Sequence, residues 1–464
     1  MQKLFSAILA LIMFLPSFLL SMLPCNNDTD FEIGVSDKAL LVNGNEAAVN
    51  KTASEKSAVY DFSSLKTDWF NYFGIKYSSD AYVKGNITYL EGNEEKSEDF
   101  FLEPSSDGSF YSFIDSYLNK RKSNALVKLE FTPLDKEAFS FTLSGIGLFN
   151  REVYDNEIYI ENDEHKLGIN LDWGGALSYL EDKNSSVEAV IVDGVTKVDS
   201  DASARYGVKA RSKHVNLINA NDTGRLVQQS YYGTGDCEQY KGEFYGENKW
   251  NYNPVQGGNQ YNEAAKIVDV RISDESIYIK CRPLDWAKKK EFITPSYMET
   301  EYSLSEGLIK ADCRFVDFSG YPAATTTQER PAFYCVEPLN RFVYYSGNAP
   351  WTGDSALSYE NGLIFWPDAG YPNFSATENW SAFIGEFDDS FGIGLYVPNK
   401  ASFLAGVFAR GGCTTADPAT ESPTSYIAAV EVLNFSSFKP MEYTFYMSTG
   451  NTSEIRDSFS TLVK

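Results

Sequence analysis

The stretch His214–Gly233 carries the side chains best suited to chemistry in this sequence of 464 residues. It contains one of only two histidines, together with several amides, Asp222, Arg225 and a pair of tyrosines. Amides and the rigid fork of an arginine bind hydroxyl or carboxylate groups with fixed geometry. The stretch therefore predicts a ligand-binding strand and loop. The alternative is an ordinary strand flanked by two polar turns.

Aromatic and amide side chains are also concentrated in the segment 249–261, KWNYNPVQGGNQY. Glycine-rich backbone belongs at the surface, and tryptophans beside amides suit stacking on a sugar ring with hydrogen bonds to its hydroxyls. The alternative is that each tryptophan fills the core of a β-sandwich. The side chains expected to bind a saccharide are Arg225, Gln229, Trp250, Asn253, Gln256, Trp351 and Trp380.

Carboxyl groups near these aromatic segments could supply acid–base chemistry, since hydrolysis of a glycosidic bond typically needs one protonated and one ionised carboxyl. The candidates are Asp222, Asp285, Glu299, Glu329, Glu337, Asp368 and Glu378. Glu378 lies in a Pro- and Gly-rich segment between two tryptophans, where apolar surroundings would raise the pKa of a carboxyl. We expect the catalytic groups to be His214, Asp222 and Glu378, and we expect Glu299 to be structural.

Elimination of a uronic acid sugar is a second chemistry that these residues could perform. A lyase needs a base and a group that neutralises the uronate carboxylate, and His214, Arg225 and Tyr231 could supply both. The net charge of −24 would repel a polyuronate at long range, although salt screens that repulsion beyond ~8 Å. The charge therefore favours neutral glycans, and it disfavours nucleic acid, whose phosphates need lysine and arginine.

Signatures of other enzyme classes are absent from the sequence. There is no phosphate-binding glycine loop, no His-Glu-x-x-His and no nucleophile elbow. Two histidines exclude a histidine-rich metal site, and the cysteine spacings match no zinc signature. No cofactor is expected, but abundant carboxylates and amides leave an all-oxygen calcium site open.

Residues 1–24 predict an exported protein, because Lys3 precedes a long apolar run typical of a secretory signal peptide. Cys25 stands where a bacterial lipoprotein carries its lipid, so release and surface anchoring both stay open. No later segment has the ~20 apolar residues that a membrane span needs. Outside the cell, one or two disulfides could form among the five remaining cysteines, and the oligomeric state is not determined.

The pattern of apolar residues predicts an all-β protein with two domains after a linker at 25–57. Period-2 alternation bounded by turn residues, as in FSFTLSGIGLF (139–149), indicates a jelly-roll-like β-sandwich over 58–152. Longer strands continue through 157–464, with a short helix expected near 110–118 and a terminal helix at 453–463 capped by Ser453. The second domain is expected to be a large antiparallel β-sandwich.

The opening of the second domain, with the hairpin ending in GGALSYL (174–180) and the later NLIN (216–219), resembles galactose-mutarotase-like domains. The resemblance extends over roughly 157–464 and implies an antiparallel supersandwich of the kind found in sugar epimerases, polysaccharide lyases and glycoside hydrolases. Epimerases of that group use a histidine acid and a glutamate base. Here His214 precedes NLIN without a second histidine downstream, so epimerase chemistry is not expected.

Together these features predict an exported carbohydrate-active protein that binds and cleaves an oligo- or polysaccharide, as a glycoside hydrolase or a polysaccharide lyase. The alternative is a non-catalytic glycan-binding or adhesion protein of the cell surface, which would explain the lack of a catalytic signature. Two carboxyls in one cleft lined by tryptophan would favour the enzyme, and a flat aromatic surface without paired acids would favour the binder.

Overall fold

The computed structural model describes residues 48–50, 57–63, 70–118, 123–149, 151, 155–185, 187–210, 215–233, 244–364, 373–386, 389–409 and 411–463. Several features predicted from the sequence lie outside these residues: the signal segment with Cys25, His214, Cys237, and Asp368 with its neighbour Trp366. By its contacts the chain divides into two compact units, Met1–Asn156 with Val268–Ile277 and Glu157–Ile267 with Tyr278–Lys464.

The first unit is a β-sandwich of two four-stranded antiparallel sheets. Within its described residues, strands β1 to β8 are Ala48–Asn50, Ala58–Asp61, Tyr72–Ser79, Val83–Glu91, Glu94–Leu102, Ser105–Phe113, Ser123–Pro133 and Ser140–Phe149. The sheets have the orders β1-β8-β3-β6 and β2-β7-β4-β5, which is the strand order of an eight-stranded jelly roll. The predicted jelly-roll-like sandwich is therefore confirmed.

Aromatic side chains from both sheets fill the core of this sandwich. Along β8, Phe141 and Leu143 are buried and alternate with more exposed Ser and Thr residues, as the sequence pattern predicts. Phe141 stacks on Phe131 of the opposite sheet with ring centroids 4.1 Å apart, and Phe100 meets Phe131 edge-on at 5.9 Å. The helix expected near 110–118 is wrong, because Phe110 and Phe113 belong to β6 and pair with β3.

The second unit contains most of the strands and the helices. Strands β9 to β32, of which β18 and β19 contribute residues to the first unit, are Glu157–Glu161, His165–Asn170, Ala176–Asp182, Glu188–Val192, Val195–Asp199, Val227–Gln228, Phe244–Tyr245, Asn248–Lys249, Pro254–Val255, Lys266–Ile272, Ser276–Arg282, Leu284–Asp285, Ser296–Ser305, Leu308–Asp317, Ala324–Glu329, Ala332–Val336, Leu339–Tyr345, Leu357–Glu360, Asn373–Ser375, Trp380–Gly385, Gly392–Tyr396, Ser402–Phe408, Thr424–Phe435 and Met441–Gly450. Helices α1 and α2 are Ala202–Tyr206 and Thr452–Ser460, and short 3-10 turns occupy Leu171–Trp173, Lys290–Phe292, Pro418–Thr420 and Thr461–Val463.

Two nine-stranded antiparallel sheets form the body of this unit. One has the order β27-β30-β31-β24-β14-β11-β10-β9, with β23 also paired to β31, and the other has the order β18-β19-β21-β22-β32-β29-β28-β25-β26. The sheets pack face to face: Tyr231, which follows β14, stacks on Phe315 of β22 with ring centroids 4.3 Å apart. The predicted all-β class and the large antiparallel sandwich are confirmed.

The terminal helix α2 is present, but its cap differs from the prediction. The side chain of Asn451, rather than that of Ser453, accepts the backbone N–H of Glu454, and Glu454 in turn accepts the N–H of Asn451. This reciprocal capping box satisfies two N–H groups that the first turn leaves free. None of the helices in the described ranges is long and apolar enough to cross a membrane.

The four cysteines within the described residues form none of the disulfides that the sequence left possible. Cys281, Cys313, Cys335 and Cys413 are buried free thiols, and burial raises the pKa of each. A thiol in apolar surroundings is unreactive and packs as a small apolar side chain. The four cysteines therefore belong to the core of the second unit.

Candidate functional site

A cavity of about 230 Å³ lies in the second unit, on one face of the sheet that contains β14, β24, β30 and β31. Strand register determines which side chains face it. Gln228 of β14 is paired with Ala332 of β24, and two residues further along β24 Tyr334 is paired with Tyr426 of β31. Residues two apart on a strand share a face, so these four side chains line the cavity together.

Three aromatic rings from this sheet form the floor of the cavity. Tyr334 and Tyr426 lie 4.5 Å apart between ring centroids, and Phe408 of β30 lies 6.1 to 6.2 Å from both. Burial raises the pKa of both tyrosines, so each hydroxyl keeps its proton. The floor therefore offers apolar ring faces together with neutral hydroxyl groups.

The opposite wall is built from the hairpin β15–β16 and the segments that follow β16 and β20. Tyr245 meets Trp250 edge-on at 5.2 Å and Trp286 edge-on at 5.6 Å between ring centroids. Trp250 is fixed by its indole N–H, which donates to the Asn253 side-chain oxygen at 3.1 Å. The side-chain amide of Asn253 donates in turn to the Tyr231 carbonyl at 2.8 Å. These contacts hold the aromatic wall rigid.

Asp222 and Arg225 form an ion pair at the edge of the cavity. The Arg225 Nη1 donates to Asp222 Oδ2 at 2.5 Å, while Asp222 Oδ1 accepts the backbone N–H groups of Gly224 and Arg225 at 2.9 and 3.0 Å. Both side chains are about one-third exposed. Asp222 therefore accepts hydrogen bonds from one guanidinium and two backbone N–H groups.

Glu329, the last residue of β23, is the second carboxyl that lines the cavity. Its side chain accepts the hydroxyl of Tyr426. Burial raises the pKa of Glu329, and the hydrogen bond from Tyr426 offsets part of that effect. The cavity thus joins one carboxyl that is paired with a guanidinium and one whose pKa is raised by burial. Acid–base catalysis uses carboxyls in two such different surroundings.

Of the residues predicted from the sequence, Asp222, Arg225, Trp250 and Asn253 are brought together at this cavity. Gln229 and Gln256 lie beneath it, in the interior. Gln229 donates to Thr300 Oγ1 at 2.8 Å, and its backbone N–H is accepted by Gln256 Oε1 at 3.1 Å. The side-chain amides of Gln229 and Gln256 therefore link the chain just after β14 to the segments that pack against it.

Glu378, Trp351 and Trp380 form a separate cluster beside helix α2. Glu378 has no exposed surface, and its carboxylate accepts two hydrogen bonds from Arg456 at 2.6 and 2.9 Å. It also accepts the Trp380 indole N–H at 2.8 Å and the Trp351 backbone N–H at 2.7 Å. Trp380 is fully buried in the hydrophobic core with Phe459. The structure does not bring this group to the cavity.

Glu299 forms ion pairs with Lys280 and Arg314, each at 3.3 Å, as expected for a structural carboxylate. Sequence reasoning did not single out Tyr245, Trp286, Tyr334 or Tyr426 for the site. Tyr334 and Tyr426, the two tyrosines of the cavity floor, are far apart in sequence, and only the pairing of β24 with β31 brings them together. The one local signal was the density of aromatic residues between 231 and 261.

No protein-family model matches the chain, and no curated protein matches its sequence. Several solved structures that are similar to it have TM-scores of 0.31 to 0.34. They include a galactose mutarotase related enzyme from Lactobacillus acidophilus (TM-score 0.34, 11% identity, 64% of this chain and 98% of that chain). A 4-alpha-glucanotransferase from Thermococcus litoralis is matched over 63% of this chain and 37% of that chain (TM-score 0.31, 12% identity).

A third similar structure is a protein in glycosyl hydrolase family 38 from Enterococcus faecalis, with a TM-score of 0.33 and 9% identity. The match covers 93% of this chain and 47% of that chain, so this chain spans about half the length of that protein. The comparison of structures thus includes a galactose mutarotase related enzyme, and the sequence resembles that group.

Proposed function

We propose that the chain is an exported carbohydrate-active protein that binds one sugar unit of an oligo- or polysaccharide in the aromatic cavity and hydrolyses its glycosidic bond. In this proposal Glu329 is the general acid that protonates the leaving oxygen, and Asp222, which is paired with Arg225, is the second catalytic carboxyl. The observation that carries the proposal is that both carboxyls line one cavity together with Trp250 and Trp286. The chemistry of glycoside hydrolysis calls for that pairing.

The remaining side chains of the cavity fit the same ligand. Ring faces of Trp250, Trp286 and Tyr334 suit the apolar face of a pyranose, and Asn253, Gln228 and the tyrosine hydroxyls add polar groups to the lining of the same cavity. A polyuronate lyase is less favoured, because the guanidinium of Arg225 is already paired with Asp222 and the site holds a second acid. Export through residues 1–24 belongs to the same proposal.

A non-catalytic glycan-binding protein is the second candidate. It is favoured by the engagement of Asp222, whose two oxygens are both occupied by Arg225 and by backbone N–H groups. A carboxylate held in this way orients the loop between 222 and 225. Of the two carboxyls that line the cavity, Glu329 alone would then act on the ligand.

Substitution of Glu329 tests the proposal. The protein is incubated with a panel of neutral and uronate-containing glycans, and new reducing ends and unsaturated-uronate absorbance are measured. We expect reducing ends without that absorbance, and Glu329→Gln should lower kcat about 10²- to 10⁴-fold. Because the acid must be protonated, the rate should fall as the pH rises through the raised pKa of Glu329.

Glu442→Gln is the matched control, since Glu442 is largely exposed and pairs with Arg314; this variant should keep full activity. Binding without any product would support the second candidate, and unsaturated products would show a lyase. A panel on which the protein neither binds nor cleaves any glycan would refute both.

A further inference from the structure

Several hydrogen-bond donors that line the cavity are already used within the protein. Both side-chain amide hydrogens of Gln228 are donated to backbone carbonyls of the turn 222–225, each at 3.0 Å. Those of Asn253 are donated to a serine hydroxyl at 3.0 Å and to a backbone carbonyl at 2.8 Å. The hydroxyl of Tyr426 is donated to Glu329. These three side chains shape the cavity, but they have no hydrogen left to offer to a ligand.

Tyr334, on the floor of the cavity, differs from these side chains. Its ring is held by packing, with centroids 4.5 Å from Tyr426 and 6.2 Å from Phe408. Its hydroxyl forms no hydrogen bond with any other residue in the described part of the chain. Because burial raises the pKa of Tyr334, this hydroxyl keeps its proton. Among the described residues, Tyr334 therefore presents an unused donor to a molecule in the cavity.

The hydroxyl of Tyr334 also lies within electrostatic reach of both carboxyls that line the cavity. Burial is the main cause of its raised pKa; the charges of Glu329 and Asp222 raise the pKa further, and the charge of Arg225 lowers it. Such interactions weaken with distance, so these charged groups lie near the hydroxyl. A sugar unit that contacts both carboxyls would therefore come close to the hydroxyl of Tyr334.

We propose that the Tyr334 hydroxyl donates a hydrogen bond to one hydroxyl group of the sugar unit in the cavity, and that this bond determines which sugars the cavity accepts. This inference rests on the proposed function of the cavity. Aromatic rings stack on any pyranose that offers an apolar face. A site that hydrogen-bonds a ligand hydroxyl rejects an analogue without it, because the polar group of the protein is then left without a partner.

Tyr334→Phe, measured together with deoxygenated sugars, tests this inference. Dissociation constants are measured on a glycan array that displays glycosides of glucose, galactose, mannose and xylose, each beside analogues that lack one hydroxyl. In the wild type, loss of one particular hydroxyl should weaken binding about tenfold. Tyr334→Phe should bind the parent sugar about tenfold more weakly and should bind that one analogue as tightly as the parent. The two changes are then not additive, as expected for groups in contact.

Two controls separate the lost hydrogen bond from damage to the fold. Tyr334→Phe keeps the ring that packs on Tyr426, so its thermal unfolding should match that of the wild type. Tyr359→Phe is the matched variant, since Tyr359 of β26 does not line the cavity and its hydroxyl donates to Asp389 at 3.0 Å. It should bind every sugar on the array like the wild type.

If Tyr334→Phe distinguishes the deoxygenated analogues as the wild type does, the inference is overturned and the proposed function of the cavity stays intact. The same conclusion follows if the wild type binds members of the larger glycan panel but none of the sugars on the array. Absence of binding to any glycan of the array or the panel would overturn the inference and the proposed function together.

Discussion

At the scale of single residues, Asp285 is a carboxyl in surroundings that disfavour its charge. It is 2% exposed, its Oδ1 accepts the backbone N–H of Asn253 at 3.3 Å, and its Oδ2 has no hydrogen-bond partner in the described structure. Burial raises the pKa of Asp285 to about 7, and the charge of Lys288 offsets part of the effect. Asp285 therefore keeps its proton well above the pH at which an exposed aspartate loses it.

This proton makes stability depend on pH. Between pH ~4 and ~7 the folded chain holds a proton that the unfolded chain has released, so the free energy of unfolding falls as the pH rises. The rise of the pKa from 3.8 to about 7 corresponds to a loss of up to about 4 kcal/mol. Asp285→Asn mimics the protonated acid and should be more stable than the wild type at about pH 8, as measured by urea unfolding.

At pH ~4 the Asp285→Asn variant and the wild type should unfold at similar urea concentrations. Asp457→Asn, on the exposed face of α2, is the control and should keep the pH dependence of the wild type. An Asp285→Asn variant with that same pH dependence would show that Asp285 is ionised in the folded chain at neutral pH.

At the scale of elements, the turn between Asp222 and Arg225 contacts the aromatic wall through Gly224, which has no side chain. A Cβ added at Gly224 would lie 2.6 Å from the ring of Trp286. The tryptophan ring lies against this turn because Gly224 leaves room for it.

Gly224→Ala should therefore displace the Trp286 ring and weaken saccharide binding about tenfold, at a stability cost of roughly 1–3 kcal/mol. Affinity on the glycan array and thermal unfolding measure the two effects. Gly411→Ala is the control, because a Cβ there would meet only a carbonyl oxygen at 3.8 Å. Unchanged affinity in Gly224→Ala would indicate that the Trp286 ring does not contact the ligand.

At the scale of the whole second unit, the pair Glu378–Arg456 links helix α2 to the segment before β28. Glu378 is fully buried, and Arg456 supplies two of its four hydrogen bonds. Removal of one partner from a buried ion pair leaves a charge without compensation.

Arg456→Met should therefore lower the free energy of unfolding by about 3–5 kcal/mol, as measured by urea denaturation. The double variant Glu378→Gln with Arg456→Met should recover part of that loss, because no buried charge remains. Glycan cleavage by the folded double variant should equal that of the wild type. Lost cleavage in a well-folded double variant would return Glu378 to the catalytic groups predicted from the sequence.

Local patterns predicted many of the elements of this chain. Alternation predicted β8 and the presence of longer strands through the second unit, and the residues SEIRDSFSTLV predicted the terminal helix. Two of these predictions were wrong. Residues 110–113 belong to β6 because their pairing with β3 outweighs helix propensity. The cap of α2 is Asn451 because the reciprocal bond with Glu454 satisfies more N–H groups than Ser453 could.

Sequence patterns were enough to predict the all-β class and the aromatic character of the segment after Tyr231. They also pointed to contacts between residues close in the sequence, such as Asp222 with Arg225 and Trp250 with Asn253. Those pairs are three residues apart, so short-range geometry brings them together. That Glu329 shares a cavity with Asp222, and that Glu378 pairs with Arg456, followed only from the packed structure. The first depends on strand register and the second on the packing of helix α2, and both join residues far apart in the sequence, which no local pattern specifies.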